Sequence, residues 1–283
     1  MSLVEESAHE AVGRTQVLRG GVSPVVANML GATLIDDWDP EGARPGTLLP
    51  LLWHWAGFHP TAAMDRIGPD GHPRLGAFLP DLGLGRRMWA GGRLRFVRPL
   101  HVGEALEQRS RIASLERKQA GSGPMALVTV LHEIHGEGGL AIEEEQNIVY
   151  LEIPDAYRPP KRQQAPEASL FDETVTMDPV RLFRYSAATF NAHRIHFDRP
   201  YATGVEHYPG LVVHGPMQAT LLLAAAERHR GARPSAFRYR GLHPMFDIHA
   251  LRLIGTGAED GTMTLCTAAP EGHQGTAGVA EWA

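Results

Sequence analysis

The sequence is poor in cysteine, and Cys266 is the only one among its 283 residues. A lone thiol excludes an internal disulfide framework and any zinc site built from several cysteines. Long hydrophobic runs are also missing, because the longest, Leu221 to Ala226, is far too short to span a bilayer. The first residues contain no apolar core of signal-peptide length. We therefore expect a soluble, cytoplasmic protein.

Basic residues form no long run, and the formal net charge is −5 at pH 7. Proteins that bind nucleic acid neutralise phosphates with clustered lysines and arginines, so this composition argues against a nucleic-acid partner. Hydrophobic residues make up 43% of the chain and charged residues 21%, which is typical of a globular protein. The length indicates one large domain or two domains of ordinary size.

A change of composition at residues 154–168 divides the chain. This stretch, PDAYRPPKRQQAPEA, holds four prolines and several charged residues but offers almost nothing to bury. We interpret it as a linker between an N-terminal domain, residues 1–153, and a C-terminal domain, residues 169–283.

The two domains have a similar order of secondary-structure signals, with one helix-like segment before four β-forming stretches. The helix-like segments lie at 51–55 and 217–230, and the second follows Gly215-Pro216, where proline favours a helix start. A sheet that wraps one helix buries it most simply. We therefore predict an α+β protein with two antiparallel sheets, each wrapping a long central helix, paired edge to edge. The alternative is two unrelated α+β domains. The β-forming stretches are 88–97, 105–116, 125–134, 141–153, 236–241, 247–254, 261–268 and 275–282.

The segment from Asn191 to Asp198 holds the densest group of polar and titratable side chains, including His193 and His196. Histidine transfers protons near neutral pH, and a neighbouring amide or carboxylate can orient the imidazole or a water molecule. The following Gly210–Gly215 leads into the second predicted helix, whose first amides can stabilise developing negative charge. The sequence thus predicts a proton-transfer group and an oxyanion hole on neighbouring segments.

Other interpretations of these histidines remain open. His193 and His196 could simply close loops by hydrogen bonds, since the chain has 15 histidines and one pair is not specific. Histidine and aspartate also bind zinc or iron, but the sequence has no HExxH and no clear facial-triad arrangement. We predict no metal site.

The runs Asn-Ala-His-Arg-Ile-His, residues 191–196, and Pro-Gly-Leu-Val-Val-His-Gly-Pro, residues 209–216, resemble the hydratase-2 motif of the MaoC-like hydratases. In that family an aspartate and a histidine five positions apart handle water and proton, and a glycine amide at a helix start binds the thioester oxygen. The resemblance assigns the role of the histidine to His196 and that of the glycine to Gly215.

Departures from the motif affect its carboxylate. Asn191 stands where the family has aspartate, His193 where it has asparagine, and Arg194 where it has proline. An amide cannot act as a general base. We expect Asn191 to position the water or the thioester, and His193 or Asp198 to supply the second proton-transfer group.

The resemblance extends to one branch of the family, which comprises mesaconyl-C4-CoA (3-methylfumaryl-CoA) hydratases, itaconyl-CoA hydratases and type 2 hydroxyacyl-thioester dehydratases. It implies the double hot-dog fold and reversible addition of water to a 2-enoyl thioester. It further implies a catalytic C-terminal domain, an N-terminal domain that shapes the acyl pocket, coenzyme A as part of the substrate, no other cofactor, and a homodimer. The stretches that carry it are 183–198, 52–55, 70–73, 78–80 and 86–92.

The substrate of this branch is a branched C5 dicarboxylyl-CoA, whose distal carboxylate is best matched by an arginine. An arginine is equally compatible with a surface or structural role. The Gly- and Pro-rich stretch 57–85 has the length of a lid or pocket-forming loop, and Trp89, with Trp53 and Trp55, could line an acyl pocket or belong to the core. The predicted substrate-binding residues are Arg194, Asp198, His214, Arg86, Arg87 and Trp89.

Three other functions fit the same sequence. One is a 3-hydroxyacyl-thioester dehydratase of fatty-acid synthesis, and another is a hot-dog thioesterase, which attacks the carbonyl carbon and not the double bond. The third is a non-catalytic subunit that binds acyl thioesters, and the replacement at Asn191 favours it.

Overall fold

The computed structural model describes residues 10–120, 123–257 and 261–282. Its main feature is one antiparallel sheet of ten strands that runs through both halves of the chain. The strands are β1 (Thr15–Gly20), β2 (Arg86–Phe96), β3 (Leu106–Ala120), β4 (Gly123–Gly136), β5 (Gly139–Leu151), β6 (Phe171–Val175), β7 (Ala236–Gly241), β8 (Leu251–Gly257), β9 (Thr262–Ala268) and β10 (Gln274–Glu281).

Both halves of the sheet have the same topology. The order across the sheet is β1-β3-β4-β5-β2-β7-β10-β9-β8-β6, so the first, third, fourth, fifth and second strands of each half follow one another from the outer edge inward. Strands β2 and β7 join the halves, with Gly92 opposite Tyr239 and Leu94 opposite Phe237. The predicted edge-to-edge pairing is confirmed. Because the join is continuous, the two predicted sheets form one.

The helix of the second half is confirmed close to its predicted bounds. It spans Gly215–Arg230 and contains Pro216 in its first turn. Gly231, with a left-handed φ of 70°, caps its C-terminal end. Its apolar side chains, among them Leu222 and Leu223, are fully buried, and it packs against β7, β8, β9 and β10. The helices are α1 (Pro24–Leu34), α2 (Pro179–Thr189), α3 (Arg199–Gly204) and α4 (Gly215–Arg230).

The helix predicted at 51–55 in the first half is wrong. Leu52 has a left-handed φ of 69°, and only Trp53–Ala56 forms a single 3-10 turn. The longer helix is α1, which begins where the Ser23 hydroxyl accepts a hydrogen bond from the Val26 amide. Tertiary contacts overrule the local pattern here, because His54 and Trp55 both bond to the buried carboxylate of Glu144.

The chain from 152 to 170 connects β5 with β6 and contains no strand or helix; its one β-bridge pairs Gln164 with His273. The division into domains at 154–168 stays a prediction. Among the described residues, no helix combines the length and apolarity needed to cross a membrane.

Candidate active site

Residues 190–198, between α2 and α3, form a short turn region that carries the predicted His193 and His196. Helix α2 ends at Thr189, and the next residue, Phe190, reverses the chain with its left-handed φ of 51°. The Asn191 side-chain oxygen accepts a hydrogen bond from the His193 amide at 3.0 Å, which forms an Asx turn, and a 3-10 helix, Arg194–His196, follows. As a result His193 and His196 are buried, with exposed fractions of 5% and 7%.

The tautomer of His196 is set by the backbone. Its Nδ1 lies 2.7 Å from the carbonyl oxygen of Val212, which can only accept, so Nδ1 carries the proton and Nε2 has a free lone pair. Burial lowers the pKa of His196 well below its ordinary value, and the neighbouring His214 and His193 lower it further. His196 is thus a neutral imidazole with one nitrogen available to accept a proton.

The ring of His196 stacks on His214, with centroids 3.6 Å apart and an angle of 19° between the planes. His214 is fully buried, its Nε2 lies 2.9 Å from the Ser186 hydroxyl, and burial lowers its pKa to about 3. His214 immediately precedes Gly215, the first residue of α4. The stack therefore brings His196 next to the start of this helix.

Open space lies beside Gly215. A Cβ built on this residue would meet only the Trp89 carbonyl oxygen, at 3.7 Å. The first amides of a helix have no acceptor within the helix and carry the positive end of its dipole. A substrate carbonyl can approach this amide, with the backbone of β2 forming the opposite side. The candidate oxyanion hole is thus bordered by both halves of the chain.

Protein contacts engage both carboxylate oxygens of Asp198. One caps α3 by accepting from the Tyr201 amide at 3.1 Å, and the other lies 2.8 Å from Arg194. The hydrogen bond from Arg194, with that from the Tyr201 amide, lowers the pKa of Asp198. The observed contacts of Asn191 and Asp198 are structural, and the roles predicted for them in catalysis and substrate binding stay predictions.

Two of the three predicted substrate arginines have carboxylate partners. Arg86 lies with its Nε 3.1 Å from the buried carboxylate of Glu206, without hydrogen-bond alignment, and donates to the Tyr208 hydroxyl. Arg194 pairs with Asp198 as described. Arg87 donates to the Pro73 carbonyl at 2.9 Å and has no ion pair within the part of the chain that the structure describes. Burial lowers the pKa of Arg87, and the nearby charge of Asp70 acts in the opposite direction.

Aromatic side chains line the join between the halves. Trp89 on β2 contacts Trp55 edge to face, with ring centroids 4.8 Å apart, and Trp55 lies 6.0 Å from Tyr239 on β7. The Trp89 indole donates to the Gly91 carbonyl at 3.1 Å. Since the Trp89 carbonyl also borders Gly215, this aromatic group adjoins the candidate oxyanion hole.

A cavity of about 320 Å³ lies elsewhere, between the 48–54 segment, the end of β2 and Arg233. None of the residues that line it is a predicted site residue. The candidate active site therefore rests on the side chains around His196 and not on this cavity.

The structure adds two residues that the sequence analysis did not place in the site. The ring of His72 lies 4.2 Å from that of His193, and the Nδ1 of His72 is 2.9 Å from a carboxylate oxygen of Asp70. Ligand atoms of Asp70, His72 and His193 all lie within 4.8 Å of one another, a group that could hold a metal ion where we predicted none. The available signals were the Asp-x-His spacing in a Gly- and Pro-rich loop and the family resemblance of residues 70–73.

The loop that carries Asp70 and His72 docks on the turn region. Gly71 has a φ of 90°, and a Cβ there would lie only 1.8 Å from the Ala192 carbonyl oxygen, so only glycine fits. The Arg194 amide donates to the Asp70 carbonyl at 2.9 Å, and the Arg194 guanidinium donates to the Pro69 carbonyl at 3.1 Å. The first half thus contributes polar side chains to the histidine cluster.

Electrostatics keep Asp70 charged and His72 neutral. Burial alone would raise the pKa of Asp70, but the hydrogen bonds and charge of His72 outweigh it and lower that pKa to about 2. Burial lowers the pKa of His72 to about 4, although its bond to Asp70 acts in the opposite direction. The ionised carboxylate holds the proton on Nδ1 of His72 and leaves Nε2 as an acceptor.

Curated relatives of known name match most of the chain. It is 42% identical over 246 residues to the mesaconyl-C(4)-CoA hydratase of Chloroflexus aurantiacus, a match that covers 86% of each chain. It is 29% identical over 236 residues to the mitochondrial hydroxyacyl-thioester dehydratase type 2 of Schizosaccharomyces pombe, covering 73% of this chain and 77% of the relative.

Solved structures establish the fold. A MaoC-like dehydratase from Phytophthora capsici superposes with a TM-score of 0.70 at 13% identity, covering 100% of this chain and 98% of that one. A Mycobacterium tuberculosis protein described as having a double hot-dog fold superposes with a TM-score of 0.56 at 16% identity, covering 96% of each chain. The predicted double hot-dog fold is confirmed.

A family model agrees with these relatives. The model of hydroxyacyl-thioester dehydratase type 2 matches residues 52–247, which include the loop that carries Asp70 and His72, the turn region and the start of α4. Together with the 42% identical relative, this match confirms the resemblance found in the sequence. The chain belongs to the hydroxyacyl-thioester dehydratase type 2 family of MaoC-like hydro-lyases.

Proposed function

We propose that the chain is a hydratase that adds water reversibly across the double bond of a branched dicarboxylyl-CoA, such as mesaconyl-C4-CoA. The observation that carries the proposal is the stack of His196 on His214, which brings a neutral imidazole to the helix start at Gly215. The name of the 42% identical relative supports the choice of substrate.

Each part of the site has a task in this reaction. The thioester carbonyl oxygen accepts a hydrogen bond from the Gly215 amide, and the α4 dipole stabilises the negative charge that develops on that oxygen. The Nε2 of His196 accepts a proton as the water oxygen bonds to the β-carbon. The π electrons move to the carbonyl oxygen, and the enolate then takes up a proton at the α-carbon. No cofactor is needed beyond the coenzyme A that the substrate carries.

The distal carboxylate of the substrate requires a cation. Arg87 is the predicted arginine without a carboxylate partner in the described chain, and it neighbours Asp70 and His72 closely enough to affect both of their pKa values. A bidentate contact with its guanidinium would select a dicarboxylyl group over a simple acyl group. The predicted homodimer and the cytoplasmic location stay predictions.

The proposal is tested by following enoyl absorbance with purified protein and either mesaconyl-C4-CoA or crotonyl-CoA, while free CoA is measured in parallel. We expect hydration of mesaconyl-C4-CoA, slower hydration of crotonyl-CoA, and no CoA release. His196→Gln should lower the rate by about 10²–10⁴-fold, whereas His101→Gln, at an exposed position, should not. CoA release without loss of absorbance would show a thioesterase instead, and tight binding without turnover would show a binding subunit.

A second candidate is a 3-hydroxyacyl-thioester dehydratase, which uses the same groups in the reverse direction. The match to the dehydratase family model favours it. Incubation with straight-chain 3-hydroxyacyl-CoA distinguishes the two, because a dehydratase of this kind would turn it over faster than the branched dicarboxylyl substrate.

A further inference from the structure

We propose that His72, held by Asp70, is the residue that exchanges a proton with the α-carbon of the substrate, opposite His196. This inference rests on the proposed function and deepens it, because it names the missing partner of His196. The hydratase-2 motif of the MaoC-like hydratases has an aspartate where this chain has Asn191, and an amide cannot supply that partner.

Geometry places His72 in the site. Its ring is 4.2 Å from His193, whose ring is in turn 5.3 Å from His196. The ring of His193 is therefore a neighbour of both imidazoles. The docking of Gly71 against Ala192 fixes the loop that carries His72, so its position is part of the folded structure.

Both oxygens of Asp70 are directed at His72. One accepts from the His72 backbone amide at 3.0 Å, and the other accepts from Nδ1 at 2.9 Å. This arrangement orients the ring and stabilises the imidazolium that forms when Nε2 takes a proton. Asp70 is thus a positioning residue.

The two imidazoles differ in basicity. His72 is supported by a carboxylate, whereas His196 bonds through Nδ1 to a neutral carbonyl. Removing a proton from the α-carbon of a thioester needs the stronger base, and delivering one to a leaving hydroxide needs the weaker. The charged and titratable groups around His72 are Asp70 on its own loop, His193 and His196 on the turn region, and Arg87 on β2.

A metal ion would use the same atoms differently. Asp70 and His72 could join His193 in holding one, since their ligand atoms lie within 4.8 Å. However, both oxygens of Asp70 are already engaged by His72, which matches a carboxylate that orients a base more closely than one that binds a cation. Chelation tests this point directly.

In the dehydration direction the reaction begins at the α-carbon. The α-carbon–hydrogen bond breaks, its proton passes to Nε2 of His72, and the electron pair moves to the carbonyl oxygen held by Gly215. The enolate pair then forms the double bond as the β-carbon–oxygen bond breaks. The proton passes through His193 to His196, which delivers it to the leaving hydroxide. Water is released, and every imidazole is neutral again.

The α-proton step is measured alone with a saturated substrate analogue, methylsuccinyl-CoA, in D₂O. This compound has an α-hydrogen but no hydroxyl group to lose, and deuterium uptake is followed by mass spectrometry. The wild-type protein should catalyse exchange, and His196→Gln should still do so although it no longer hydrates mesaconyl-C4-CoA. His72→Gln should lose exchange and hydration by about 10²-fold or more.

Asp70→Asn provides an independent test if His72→Gln fails to fold. Asp70→Asn keeps an oxygen that can accept from Nδ1 but removes the charge, so exchange should slow and the acid limb of the rate profile should move to lower pH. His101→Gln is the matched control, and it should resemble the wild type in both assays.

Exchange and hydration by His72→Gln at wild-type rates would overturn the inference and leave the proposed function standing. So would loss of activity with EDTA that zinc restores, because Asp70 and His72 would then serve a metal. Wild-type protein that neither hydrates any enoyl-CoA nor exchanges the analogue would overturn the proposed function as well.

Discussion

Lowering the pH from 7 to 5 should destabilise the folded protein, because three histidines of the site stay neutral in it. Burial lowers the pKa of His72 to about 4, that of His214 to about 3, and that of His196 well below its ordinary value. In the unfolded chain each has a pKa of about 6.5. The unfolded chain therefore binds more protons than the folded one below pH 6.5, and stability falls as the pH falls.

The size of the effect follows from these pKa values. At pH 5, keeping one such histidine neutral in the folded state costs about 2 kcal/mol, and at pH 7 the cost is close to zero. His72 and His214 together should lower the free energy of unfolding by about 4 kcal/mol, and His196 should add to this loss in the same direction. Most carboxylates contribute little here, since their reference pKa values lie near 4.

Urea unfolding at both pH values measures this difference. His72→Gln should reduce the pH-dependent loss by about 2 kcal/mol, because glutamine does not titrate. His101→Gln, at an exposed position, controls for the substitution itself. Equal free energies of unfolding at pH 7 and pH 5 in the wild type would refute the reasoning, because these imidazoles would then not be held neutral by burial.

Two glycine substitutions separate chemistry from folding. Gly215→Ala should leave the melting temperature unchanged, since the new methyl group meets only the Trp89 carbonyl at 3.7 Å. It should lower kcat/KM by about 10²-fold or more, because the methyl group shields the amide. Wild-type kinetics would show that Gly215 is not part of the oxyanion hole. Gly71→Ala should lower both stability and activity, since its Cβ would lie 1.8 Å from the Ala192 oxygen. Unchanged thermal melting and activity would show that the loop need not dock on the turn region.

Local patterns predicted the sheet well. The eight predicted strands all form, because their β-branched and alternating residues favour a pleated, half-buried surface. Helix α4 was also found, since Gly215-Pro216 signals its start. The short outer strands β1 and β6 were missed, as were helices α1, α2 and α3. Ser23 and Pro24 provide an ordinary start signal for α1.

For the same reason, the sequence could name candidate site residues only where they share one stretch of chain. His196 and Gly215 lie on neighbouring segments joined by a short stretch of chain, so a motif could indicate both. His72 is more than a hundred residues away from His193, and nothing local to Asp70-Gly-His-Pro73 shows which surface that loop will contact. The arginines show the converse, because their partners, Glu206 for Arg86 and Asp198 for Arg194, are visible only in the fold.

The sequence was enough to predict the family, eight of the ten strands and helix α4. It also points to His196 and Gly215 as site residues, and their roles stay predictions. These depend on short-range order: periodicity, capping and a motif within about 25 residues. The tertiary structure was needed to show that the paired sheets are continuous, that the segment at 51–55 is not a helix, and that Asp70 and His72 lie next to His193. Such contacts come from packing and from the burial of polar groups between distant segments, which no local pattern records.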